Sequence, residues 1–243
     1  MKSFRIFLIL LGLILPLIGS AAEVEDYSGP SFEKYLEPIF PPGLKFDGIT
    51  DGHVELIIDI NEDGTVADWI PLRSTHRLLT ESVGRAMKKW KFKPAMINGE
   101  PVPVAQKLLF NFDHSGTVLI SGTGLDLHMR WIRELGRQDD RLAFELPDLD
   151  QLPEPMEIVR PLLPLSLADN KDPATVMVTF YIDEQGNVRI PVATEWEVDL
   201  LYAQSAIHAI TQWKFKPPTV KGRPVVVRAI QPFHFLPSNK GEQ

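Results

Sequence analysis

The sequence predicts an α+β protein of two similar two-layer modules, each with one helix packed on a small antiparallel sheet. Three observations predict it. Trp90-Lys91-Phe92-Lys93-Pro94 returns as Trp213-Lys214-Phe215-Lys216-Pro217, an offset of 213 minus 90, or 123 residues. Each copy follows a run of period-two alternation and then an apolar stripe at helical spacing. Each is followed by a glycine turn and a long alternating strand. Self-similarity at a fixed spacing marks a duplicated structural unit.

The elements justify themselves in chain order. Lys2 and Arg5 precede an almost wholly apolar stretch over residues 6–18, and small residues follow at 19–22. That order reads as a secretory signal peptide over residues 1–22, cut after Ala21 or Ala22, with an uncleaved anchor as the alternative. The stretch is short of the ~20 residues that span a bilayer. The first module is expected over residues 30–113 and the second over 158–237, with a tail at 238–243.

In the first module Val54, Leu56, Ile58 and Ile60 alternate with Glu55, Ile57 and Asp59, which reads as a half-buried strand. Val176, Val178, Phe180 and Ile182 repeat the register. Asn61-Glu62-Asp63-Gly64 and Asp183-Glu184-Gln185-Gly186 then turn the chain, because glycine tolerates positive φ. In the second strands of these hairpins, Pro71 and Pro191 predict an edge or a strand end. Leu79, Val83, Ala86, Met87 and Trp90 form one helical face, and Tyr202, Ala206, Ala209, Ile210 and Trp213 repeat it. Trp90, Phe92, Trp213 and Phe215 are expected core anchors, where a helix stripe passes into a strand. Asn98-Gly99 and Lys221-Gly222 predict hairpin turns before the last strands.

Residues 114–157 read as a connection. Residues 117–120 suggest a short strand, and residues 126–135 a helix capped by Asp126 and ended by Gly136. Seven acids, two bases and three prolines over residues 137–157 predict a solvated linker.

Composition excludes several chemistries. The chain has 243 residues, 21 prolines and no cysteine, so disulfides, thiol nucleophiles and cysteine-ligated zinc are ruled out. The formal net charge of -7 argues against nucleic acid as a partner. Asp59, Asn61, Asp63 and Gly64 match the start of a calcium loop, but its twelfth position holds Ile70 and not an acid. An acidic hairpin turn is expected there. The six histidines show no metal-binding spacing, and Gly122 and Gly124 lack the third glycine of a dinucleotide loop. No catalytic residue, metal or cofactor is expected.

Taken together, Pro38-Ile39-Phe40-Pro41, Asp63-Gly64, Trp90 to Ala95, Gly99-Glu100-Pro101-Val102 and Phe110-Asn111-Phe112 resemble the TonB C-terminal domain family. The second copy resembles it through Pro161-Leu162-Leu163-Pro164, Gln185-Gly186, Trp213 to Pro217, Gly222-Arg223-Pro224-Val225 and Phe233-His234-Phe235. Leu163 replaces the entry aromatic and Pro218 the alanine. The resemblance implies a non-catalytic periplasmic module that catches an extended protein segment, such as one from an outer-membrane receptor, as an added sheet strand. It implies partner surfaces at the entry segments and last strands. These are Pro38, Phe40, Pro41, Val104, Gln106, Leu108 and Phe110, and in the second copy Pro161, Pro164, Val227, Ala229, Gln231 and Phe233. Residues 6–18 carry no histidine and residues 23–37 only one proline, so the sequence offers neither a motor-coupling helix nor a long spacer. Three readings stand: an exported periplasmic binder, an inner-membrane-anchored transducer facing the periplasm, and a homodimer pairing through edge strands.

Overall fold

The computed structural model describes residues 27–113, 118–122, 140–163, 165–167, 172–193 and 199–236. The N-terminal apolar run, the helix expected over residues 126–135, Pro164 and the tail lie outside the described residues.

In the first module β1 (Gly52–Ile60) and β2 (Val66–Ser74) form a hairpin. Helix α1 (Arg77–Met87), the short β3 (Lys91–Lys93) and the long β4 (Val104–Phe112) follow. A further strand, β5 (Val118–Gly122), completes a sheet of order β2-β1-β4-β5. After β6 (Ala143–Glu145), the second module repeats the plan with β7 (Ala174–Ile182), β8 (Val188–Ala193), α2 (Leu200–Thr211), β9 (Lys214–Phe215) and β10 (Val226–Phe235). Its sheet order is β6-β10-β7-β8. Every pair in the two sheets is antiparallel except β6 on β10. This is the α+β architecture that the repeat predicts.

The local reasons match across the copies. Gly64 and Gly186 take φ of 81° and 82° in the hairpin turns. Asp63 accepts hydrogen bonds from the Thr65 amide and hydroxyl, and Asp183 from the amides of Gln185 and Asn187. The two glycines do more than turn the chain. A Cβ on Gly64 would lie 1.8 Å from the Phe92 carbonyl oxygen, and one on Gly186 1.9 Å from that of Phe215. The Phe92 amide donates to the Gly64 carbonyl at 2.8 Å, and the Phe215 amide to that of Gly186 at 2.9 Å. Turn and motif strand therefore clasp each other. Strands β2 and β8 are sheet edges, and Pro71 and Pro191 sit beside register shifts, where a missing donor is tolerated.

The helices bury the predicted stripes. His76 Nδ1 caps α1 by accepting from the Leu78 amide, and Asp199 caps α2 by accepting from that of Leu201. Each helix closes one core over one sheet. The opposite sheet faces meet in a third cluster, where Ile57, Ile70 and Leu72 pack with Tyr181 and Ile190. Arg189 Nε donates to Asp68 Oδ2 at 2.6 Å across the same junction. β1, expected to be half-buried, is thus covered on both faces, and even His53 and Glu55 are buried. Period-two alternation marks one buried face and carries no sign of a second sheet behind it.

Residues 140–157 also differ from the solvated linker expected. Asp140 is buried, with Oδ2 2.5 Å from His53 Nε2 and Oδ1 accepting from an Arg73 NH2 at 2.5 Å. Leu146 and Leu149 pack on the second core. Asp150 accepts from the Gly222 and Lys221 amides and the Thr219 hydroxyl, which hold its carboxyl below the ordinary range. Pro155–Glu157 pairs with β9. The acids that suggested solvation are used here as caps and bridges. Among the described residues no helix is long and apolar enough to cross a membrane.

Candidate functional site

Each module holds its entry segment through the motif tryptophan and a helix serine. Trp90 Nε1 donates to the Leu36 carbonyl at 2.8 Å, and Ser82 Oγ to that of Ile39 at 2.5 Å. In the second module Trp213 Nε1 donates to the Val159 carbonyl at 2.7 Å, and Ser205 Oγ to that of Leu162. An indole buried by a helix end needs an acceptor, and the entry segment supplies it. In the second module the segment thereby forms one wall of a cavity whose other wall is the last strand.

The side chains of the expected surface largely face inward. Pro38, Phe40, Leu108 and Phe110 are buried in the first module, and Pro41, Val104 and Gln106 are half-buried. In the second, Val227, Ala229 and Phe233 are buried, Pro161 and Gln231 half-buried, and Pro164 is outside the described residues. Phe92 and Phe215 lie in their cores. What the last strands present to a partner is main chain.

The two modules then diverge. In the first, β5 lies along the outer flank of β4, from Leu108 opposite Gly122 to Phe112 opposite Val118. The last strand of the first module is therefore not an edge: β1 and β5 pair both its flanks. In the second, β6 covers β10 only from Val226 to Arg228. Beyond Arg228, no strand among the described residues pairs with that flank.

A cavity of about 430 Å³ opens there, between the entry segment and residues 231–236. Ile158, Arg160, Pro161, Trp213, Gln231 and Phe233 help line it. The tryptophans differ accordingly. Trp90 is buried beneath Phe32 and Tyr35, with ring centroids 5.4 and 5.6 Å away, and stacks on Phe110 at 5.6 Å. Burial and then Glu37 push the Tyr35 hydroxyl up to about 12. At the matching positions, 32 and 35 plus 123, stand Pro155 and Ile158. Trp213 is only half-buried and shows its ring to the cavity.

A family model described as the Gram-negative bacterial TonB protein C-terminal matches residues 38–114 and 160–237. The chain belongs to the TonB C-terminal family. It is thus a TonB-like, periplasm-facing protein linked to envelope transport, from a family of non-enzymatic domains that contact proteins such as outer-membrane receptors. No curated protein matches the chain. Each TonB C-terminal match runs from entry segment to last strand, so β5 and β6, which flank the last strands, both come from the stretch between the matches. Of these, β5 had a sequence signal in the apolar run at residues 117–120, whereas β6 had none. Among the described residues no group of three or more histidines or acids is placed to hold a metal.

Proposed function

We propose that this chain is an exported periplasmic protein that binds an extended segment of a partner envelope protein by strand addition to the second module. The observation that carries the reading is the flank of β10 over residues 229–235, which no strand among the described residues pairs, beside a cavity lined by the entry segment and residues 231–236. An exposed edge offers a row of main-chain donors and acceptors, and the adjoining groove adds side-chain selectivity. Family membership supports a protein partner in envelope transport.

Because the chain has no cysteine, a single introduced one can carry a photo-crosslinker without background. A label at His234→Cys should join an envelope protein through one short segment of that protein. The same label at Phe46→Cys, exposed on the first module, should not. Equal capture at both positions, or capture at neither, would refute the proposal.

A further inference from the structure

At the offset of 123, the strand Ser31–Lys34 and residues 154–157 are one element in two copies. The first pairs antiparallel with β3 and the second with β9. In the second copy this element answers the motif lysines with acid: Glu154 forms an ion pair with Lys216, and Glu157 stands opposite Lys214. In the first copy the matching residues are Ser31, opposite Lys93, and Lys34, opposite Lys91. We propose that this lysine face of the first module is a docking surface for an acidic segment of a partner protein, with carboxylates three residues apart as in Glu154 and Glu157. The face lies on a different module from the edge of β10 and stands whether or not strand addition does.

Directly opposite residues of an antiparallel pair share a face, so Lys34 and Lys91 set two like charges on backbones about 5 Å apart. Lys93 follows Lys91 on that face, roughly 6.7 Å along the strand. Charges placed this way repel. Among the described residues no ion pair engages Lys34, Lys88, Lys89, Lys91 or Lys93. Asp63 feels the charge of Lys91, but its carboxyl already accepts from the Thr65 amide and hydroxyl. Glu33 falls in the register shift between Phe32 and Lys34 and has no cross-strand partner on β3. The end of α1 accounts for Lys88 and Lys89, since cations suit the carbonyl end of a helix. It does not account for Lys34. The second copy has Thr211 and Gln212 at those helix positions and Glu157 in place of Lys34. The basic face is therefore particular to the first copy, in a chain of formal net charge -7. That balance also separates two classes of anionic partner. Screening confines the pull of the lysines to roughly 8 Å at physiological salt. A short acidic segment meets the lysines alone, whereas a broad anionic lipid surface also comes against the excess acids elsewhere on the chain. The ion pair of Glu154 with Lys216 is the same chemistry, supplied by the chain itself.

The test uses the mature protein and the fluorescent peptide Glu-Gly-Gly-Glu-Gly-Gly-Glu, followed by anisotropy at low and at physiological salt. The peptide should bind one per chain at low salt and at least about fivefold more weakly at physiological salt. Its glutamine version should not bind. Ser31→Glu with Lys34→Glu gives the first copy the acids of the second. This double variant should bind the peptide at least about fivefold more weakly. Urea unfolding should show it no less stable than the wild type, because a like-charge pair is gone. Glu154→Ser with Glu157→Lys does the reverse and should add a second site per chain. Failure of the acidic peptide to bind, equal binding of the glutamine version, unchanged binding in the first double variant, or no added site in the second would each overturn the inference. Vesicles of phosphatidylglycerol that bind the wild type and not the first double variant would overturn it in favour of a lipid surface. Salt-sensitive dimers that disappear in that variant would also overturn it, since the occupant is then a second copy.

Discussion

Gly64 and Gly186 tie the two most recognisable motifs of each module together. Read as sequence, each is a turn glycine, wanted for positive φ. In the fold, each also has the carbonyl of the motif phenylalanine where its Cβ would be. Gly99 separates the two effects, because it has φ of 82° but open space around it. Gly99→Ala should cost only the left-handed strain, about 1–2 kcal/mol. Gly64→Ala carries the same strain and must also push β3 away from the hairpin, since a backbone oxygen at 1.8 Å cannot yield as a flexible side chain would. Urea unfolding should therefore show Gly64→Ala clearly more destabilised than Gly99→Ala. Equal losses would mean that the clasp contributes nothing. The turn requirement was legible because φ follows from local chemistry; the clasp was not, because it joins residues 28 positions apart (92 minus 64).

At the scale of elements, the hairpin, the amphipathic helix and the long last strand of each module were legible, since each depends on a local period or a turn. The strands that flank the last strands were less so. Residues 118–120 give an apolar run but no direction or partner, and Ala143-Phe144-Glu145 is too short for any period. Whether a last strand is an edge is decided by those flanking strands, so the candidate site could be placed on both modules from sequence but not restricted to one. The tryptophans carry the consequence. Trp213→Phe keeps an aromatic ring over Phe233 but drops the hydrogen bond that fixes Val159 in the groove wall. Stability should fall by about 0.5–1.5 kcal/mol, while capture of a partner through the label at His234→Cys should fall further, because the wall loses its position. Trp90→Phe loses the matching bond to Leu36, but in a module already filled by β5. Its capture of a partner through the label at His234→Cys should be unchanged. A similar loss of capture in both variants would place binding in both modules.

At the scale of the whole molecule, the two modules are joined by their sheets as well as by the chain between them. Tyr181 is 3% exposed in the cluster that joins them, among Ile57, Ile70, Leu72 and Ile190. Nothing in the sequence separates Tyr181 from an ordinary outward-facing strand residue, because its cover comes from the other copy. Its hydroxyl reports on that cover. Burial, its largest influence, pushes the group up to about 12, against roughly 10 in an unfolded chain. The folded state holds this proton more tightly, so the contribution to stability is complete below pH ~10 and is lost as pH rises from there through about 12. Tyr181→Phe removes the titrating group and keeps the ring. Chemical denaturation between pH 9 and 12 should therefore show the wild type losing stability faster than Tyr181→Phe. Tyr35, also pushed up to about 12 but at the edge of the first module, accounts for part of the remaining slope. If the two proteins lose stability in parallel, Tyr181 is not held between the sheets, and the modules meet through their ion pairs alone.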